Sequence, residues 1–256
     1  MSRQELRAPD AFQRVGVEAE GWIAQHRNLV LGTVVAALGI FFAVMLSRTM
    51  SQRGEEKARI ALGTAVGILT RPIQADLPPG ASEDPQPFKS EKERDEAAAK
   101  ALSGVLSTFP GSKAALTATL PLAATEVRLG QLGPAIGHFE TYLRGAPASE
   151  PLRTAALDGL GHAREAKGEL PQALEAYERM AREESAGFEA GMGSFNRARV
   201  LALMGKKQDA AQAFADLIAA SPGTPAARLA QDRLSVLEAE GFKATVAAKP
   251  DAGSAG

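Results

Sequence analysis

The chain has 256 residues, with 29 Lys and Arg against 30 Asp and Glu, three His and no Cys. Balanced charge without a basic, aromatic-interleaved patch gives a phosphate backbone little to grip, so nucleic-acid binding is not expected. The absence of Cys excludes a disulfide framework, thiolate chemistry and a cysteine-linked lipid, and His26, His138 and His162 are too scattered to suggest a metal centre or a catalytic triad.

Residues 1–27 are a short polar segment. Residues 28–47 then run from Asn28 to Ser47 for 20 residues without a charge. As a helix this run is about 30 Å long, the thickness of the hydrocarbon core of a bilayer. A cleaved signal peptide fits less well, because the polar segment precedes the run, the run is too long, and no small-x-small site follows Leu46. A single transmembrane helix is therefore predicted. Gly32, Ala36, Gly39 and Ala43 form a small-residue packing face along it, the kind that lets a second spanning helix approach, whether from another protein or in a homo-oligomer. Arg3, Arg7, Arg14 and Arg27 precede the span and Arg48, Arg53, Lys57 and Arg59 follow it, so flanking charge leaves the orientation open.

The segment 48–110 is read as a linking helix, a Pro-rich loop and an incomplete first repeat. The helix is predicted from Gly54 to Leu69. The loop from Arg71 to Ser90 carries Pro72, Pro78, Pro79, Pro85 and Pro87 and is expected to be extended or disordered. In the stretch Ala98–Pro110, the alanine, Leu102 and the closing Pro110 fall at repeat spacing.

Residues 111–240 contain three copies of one pattern and a capping helix. Gly130, Gly168 and Gly205 lie 38 and 37 residues apart. Each is followed five residues later by Ala135, Ala173 and Ala210, nine later by Phe139, Tyr177 and Phe214, and seventeen later by Pro147, Ser185 and Pro222. Seven before each stands a small residue, Ala123, Gly161 or Ala198. The pattern predicts a helix, a turn at glycine, a second helix, and a break at proline. Glycine takes the left-handed conformation that closes the first helix, and the alanine and aromatic share one face of the second. Neither hairpin can bury its apolar face alone, so the copies must stack. Pro121 is expected to kink the first helix of the first copy or shift its start. The span Thr224–Glu240 is expected to cap the stack, and residues 241–256 to form a disordered tail.

These segments resemble the tetratricopeptide repeat, with glycine at the inter-helix turn, alanine and an aromatic in the second helix, and proline at its end. The resemblance implies an all-α solenoid after the transmembrane helix. Together with the polar N-terminus and the Trp22, His26 and Arg27 flank, the chain resembles the YfgM-like ancillary subunits of the SecYEG translocon. That resemblance implies a bacterial inner (cytoplasmic) membrane location, periplasmic repeats, and translocon subunits, a periplasmic chaperone or translocated clients as partners.

No metalloprotease, P-loop, nucleophile-elbow or paired Cys/His pattern occurs, and Gly191-Met-Gly193 lacks a preceding strand, so neither an enzyme nor a cofactor is expected. A protein-binding groove on the first helices is predicted instead. Counting back from the glycines places Arg128, Asp158, His162, Glu165, Phe195, Asn196 and Arg199 in that groove. Asn196 and Arg199 beside an exposed Phe195 are the expected recognition pair for a peptide backbone or carboxylate. An envelope assembly scaffold and a cytoplasm-facing complex-assembly module stay open as alternatives.

Overall fold

The structure is a computed structural model that describes residues 25–78, 80, 86–184 and 190–245. Trp22, Ser185, part of the Pro-rich loop and the tail from residue 246 lie outside the described residues. The chain divides into two compact units, up to Glu56 and from Lys57.

The first unit contains the start of helix α1, Arg27–Leu69, which runs unbroken for 43 residues. The expected spanning run and the expected helix from Gly54 are one element. Its apolar stretch has a mean hydropathy of 2.7 and no buried residue, and by length and composition it is able to cross a membrane. Gly32, Ala36, Gly39 and Ala43 are exposed along it.

The second unit is all helical among the described residues, apart from one isolated bridge. After α1 come α2 (Glu91–Thr108), α3 (Lys113–Arg128), α4 (Leu132–Gly145), α5 (Leu152–Ala166), α6 (Leu170–Glu183), α7 (Met192–Leu203), α8 (Lys207–Ala220) and α9 (Pro225–Ala239). Each helix packs on its neighbour in sequence from α2 onward, and α3 touches α5 and α7 touches α9 directly. The first helices of the hairpins therefore share one face of the stack.

The turns follow from glycine. Gly130, Gly168 and Gly205 have φ of +73°, +83° and +78°, a conformation that costs other residues roughly 1–2 kcal/mol. Each donates to a carbonyl three residues back while the next residue donates to one five back, as in Gly130 N–H to Val127 O (3.0 Å) and Gln131 N–H to Glu126 O (2.8 Å). These bonds satisfy the last carbonyls of the helix. Ala135, Ala173, Ala210, Tyr177, Phe139 and Phe214 are all buried. The ring of Tyr177 lies against Gly161, and that of Phe139 against Gly159, so tightly that a Cβ at either glycine would overlap the ring.

Two expectations are corrected, for the Pro-rich loop and the tail, and one of the two outcomes expected of Pro121 is excluded. Pro121 does not displace the start of α3, which begins at the cap made by Ser112 and passes through the proline. Only one backbone donor is lost, and Thr125 Oγ1 donates to the Pro121 carbonyl at 2.7 Å. The Pro-rich loop is not loose at its base: Ile73 and Phe88 form a parallel bridge, Arg71 bonds the Gln86 carbonyl, and its guanidinium lies over the Phe88 ring. The segment after α9 is likewise held as far as Thr245. Phe242 packs on the last core, Gln208 Nε2 donates to the Lys243 carbonyl (2.7 Å), and Gln212 Oε1 accepts from Thr245 N–H (2.8 Å).

Two glycines in helices discriminate packing from propensity. A Cβ at Gly193 would lie 2.5 Å from the backbone nitrogen of Ala181, which cannot move aside, whereas one at Gly104 meets nothing within 4 Å. Gly193→Ala should destabilise the repeats by about 2–3 kcal/mol. Gly104→Ala should stabilise them by about 0.5–1 kcal/mol through helix propensity. Urea unfolding of both variants reads the two signs; a neutral Gly193→Ala would contradict the close α6–α7 approach.

Candidate functional site

The expected groove residues lie on α3, α5 and α7, and at the seam between α5 and α7 they form one connected polar network. At its centre Glu165 accepts from Arg199 Nη1 (2.7 Å) and Nη2 (2.6 Å) and from the Tyr177 hydroxyl (2.5 Å). One turn earlier on α7 and two turns earlier on α5, Asn196 Nδ2 donates to Asp158 Oδ1 at 3.0 Å, and Arg199 Nε also approaches Asn196 Oδ1 at 3.4 Å. His162 lies between the two carboxylates, its Nε2 3.5 Å from Asp158 and its Nδ1 3.8 Å from Glu165, with its ring edge-on to Tyr177. It is half exposed, so it is the most accessible polar member of the set.

Arg128 stands apart. Its guanidinium makes a two-bond fork to Asp95 on α2, at 2.7 and 2.9 Å, and reaches the Thr125 hydroxyl. Asp95 is buried, so this pair ties the incomplete repeat to the first full one.

Phe195 is not exposed, contrary to expectation: it retains 7% of its surface and its ring centroid is 5.7 Å from that of Phe214. It belongs to the core that α7, α8 and α9 share, where burying a phenyl ring gains roughly 2–3 kcal/mol. Asn196 is also buried. The expected recognition pair is thus engaged within the fold, Asn196 with Asp158 and Arg199 with Glu165. The bidentate donor set of Arg199 that would suit a peptide carboxylate already holds one.

The electrostatics agree with that geometry. Burial pushes the Glu165 carboxyl up, but hydrogen bonds from Arg199 and Tyr177 outweigh it and hold the group below its ordinary value of 4.5. Burial and the adjacent Glu165 carboxylate drive the Tyr177 hydroxyl far above its ordinary value, so it remains a donor. Among the described residues no cluster of His, Asp or Glu is arranged to hold a metal ion.

Two further polar devices bracket this seam and were not anticipated. Arg153, in the first turn of α5, donates to the carbonyls of Leu143 (2.8 Å) and Ala146 (3.0 Å) at the end of α4 and forks onto Glu183 at the end of α6. It caps one helix with the side chain of another. The available signal was a single arginine at a register where the other copies have Ala115 and Ala190. Glu184 accepts from the N–H groups of Gly191 (3.0 Å) and Gly193 (2.6 Å), placing a carboxylate at the start of α7.

No protein-family model matches the chain, and no curated protein matches it. Among solved structures, it is similar to a variant of a Podosopora anserina protein described as a kinesin light chain with nearly identical TPR-like repeats. That match has a TM-score of 0.50 and 20% identity, and covers 58% of this chain and 79% of the other. The fold is a tetratricopeptide-type solenoid. A second likeness, to MamA, has a TM-score of 0.44 at 20% identity over 59% of this chain and 86% of that one.

Glu165 makes stability depend on acid. A carboxyl whose folded value lies below its unfolded one contributes fully above the unfolded value, and that contribution is lost as pH falls through the folded one. Glu183, lowered mainly by its hydrogen bonds from Arg153, acts in the same direction. The urea midpoint should therefore drop as pH is taken below about 4.5. Glu165→Gln should weaken that dependence while costing about 2 kcal/mol at neutral pH. An unchanged acid limb in the variant would show that the network is not coupled to folding.

Proposed function

We propose that this protein is a non-enzymatic scaffold, held in a membrane by α1, whose repeats bind other proteins. The observation that carries the reading is the combination of a tetratricopeptide-type stack with an uncharged, membrane-length run at the start of α1. Such stacks bind through the face made by their first helices. Anchoring keeps that face near its targets, so weak contacts suffice because the effective concentration is high. On this reading the seam around His162 is the middle of the binding face, with Arg128 nearer one end. The internal pairing of Glu165, Asn196 and Arg199 keeps the face rigid rather than itself gripping a ligand.

The finer assignment follows the resemblance to YfgM-like subunits: a single-pass inner-membrane protein with periplasmic repeats, working beside the translocon with a chaperone or newly translocated chains. Gly32, Ala36, Gly39 and Ala43 would then dock α1 on another spanning helix.

Topology tests this directly. Alkaline phosphatase fused after Gly256 should be active, and the repeats should be open to protease in spheroplasts. An inactive, protected fusion would place the repeats in the cytoplasm and end the translocon assignment. In the same strain, a photo-crosslinker at His162 should capture a protein, and one at Glu175, exposed on the second helix α6, should not. Equal labelling at both positions would overturn the binding-face reading.

A further inference from the structure

Past α9 the chain turns and runs alongside α8. Gly241, at φ +98°, closes α9 with its N–H on the Glu238 carbonyl (3.0 Å), while Phe242 N–H donates to the Leu237 carbonyl (2.9 Å). From Phe242 to Thr245 the residues alternate in exposure, Phe242 and Ala244 half-buried, Lys243 and Thr245 exposed. A period of two is that of an extended segment laid on a surface. Its inward residues, Phe242 and Ala244, pack against the core that α7, α8 and α9 share.

Two amide side chains one turn apart on α8 hold the backbone of this strap. Gln208 Nε2 donates to the Lys243 carbonyl (2.7 Å), and Gln212 Oε1 accepts from Thr245 N–H (2.8 Å). Asp216 orients the second amide by accepting from Gln212 Nε2 at 2.8 Å, which turns the Oε1 toward the strap. Lys207 Nζ lies 5.5 Å from the centre of the Phe242 ring and pairs with Glu240 at 2.8 Å. Among the described residues the side chains of Lys243 and Thr245 make no hydrogen bond or ion pair. What α8 grips is therefore a polypeptide backbone and two apolar side chains two residues apart. Covering the core would need the ring alone, whereas the two glutamines and the carboxylate that orients one of them fit a main chain. The hold is also light: one half-buried ring, one methyl group and two exposed hydrogen bonds, hinged on a glycine, lie at the low end of local stability.

We infer that this strip of α8 is a peptide-binding groove held closed by the chain's own residues 242–245, and that its ligand is an extended polypeptide segment with an aromatic residue and, two positions later, a small one. The resident strap displays the chemistry of that ligand. Main-chain hydrogen bonds to Gln208 and Gln212 supply affinity for any extended segment, and the alternate side chains select among segments. A ligand in trans must displace the strap, so its apparent affinity is lowered by the fraction of time the groove stands open. The groove lies on a second helix, apart from the face of the first helices, and goes beyond the scaffold reading rather than resting on it.

The test uses the full chain in lipid nanodiscs and a fluorescent peptide, Gly-Phe-Lys-Ala-Thr, with a control peptide that has serine in place of phenylalanine. Anisotropy should show weak binding to the parent chain and binding at least about tenfold tighter to Phe242→Ser, which frees the groove. Thr245→Pro, which removes the donor to Gln212 without touching the core, should shift the peptide in the same direction. Adding Gln208→Ala and Gln212→Ala to Phe242→Ser should return binding to the parent's level, and the serine peptide should bind none of these chains. Thermal melts show that each variant is folded, and the peptide should raise the melting temperature of Phe242→Ser. Equal affinity for the parent and both strap variants overturns the inference, as does a folded Phe242→Ser chain that binds no peptide, or binding indifferent to both glutamines. Partner capture at His162 that persists in those cases leaves the scaffold reading standing while this one falls.

Discussion

Three rings, Phe139, Tyr177 and Phe214, set the spacing on which the rest of the molecule depends. Each is buried between helices, Phe139 against Gly159 of the next hairpin, Tyr177 against Gly161 of its own, and Phe214 beside Phe195. Ala135, Ala173 and Ala210 precede the rings by one turn, and Gly159 and Gly161 yield to two of them directly. Close packing makes this a constraint rather than a preference, since interiors of crystal-like density have no room for an added carbon. The helix-closing glycines set the turns, and the stacking of hairpins and the shared face of the first helices follow from the inter-helix distance these pairs impose.

Polar chemistry is distributed according to that scaffold. Where two first helices meet at the α5–α7 seam, charge and hydrogen bonding fill the contact. Arg153 and Glu184 secure the same hairpins from their ends. The seam is thus bonded on its inner face and at its helix termini. By contrast, the α7–α9 seam relies on apolar packing. The two ends of the binding face differ in kind although the same repeat builds both.

The repeat and its turn geometry were legible in the sequence because they rest on local rules. A glycine that must be left-handed, an alanine and an aromatic on one helical face, and a helix break leave marks at fixed spacing. The positions of the groove residues were legible too, but their states were not. Phe195 was expected to be exposed, yet its ring packs beside Phe214 in the core that α7, α8 and α9 share, a contact made only after stacking. Asn196 and Arg199 were read as free donors because their partners, Asp158 and Glu165, are over 30 residues away and become neighbours only after stacking. The role of Arg153 was hidden for the same reason, since the carbonyls it caps belong to another helix.

An open-ended stack has no intrinsic reason to stop, and α9 supplies one. In α7, Ala198 and Leu201 are buried against the helix that completes its hairpin. One repeat later α9 presents Ser235 and Glu238 there, both exposed to solvent. A further helix seated on that surface would have to strip water from the Glu238 carboxylate, whereas the Ser235 hydroxyl is already bonded to the Gln231 and Asp232 carbonyls. The last described helix thus offers a polar face where α7 offers an apolar one, and adding a helix there by duplication would require that face to be rewritten first.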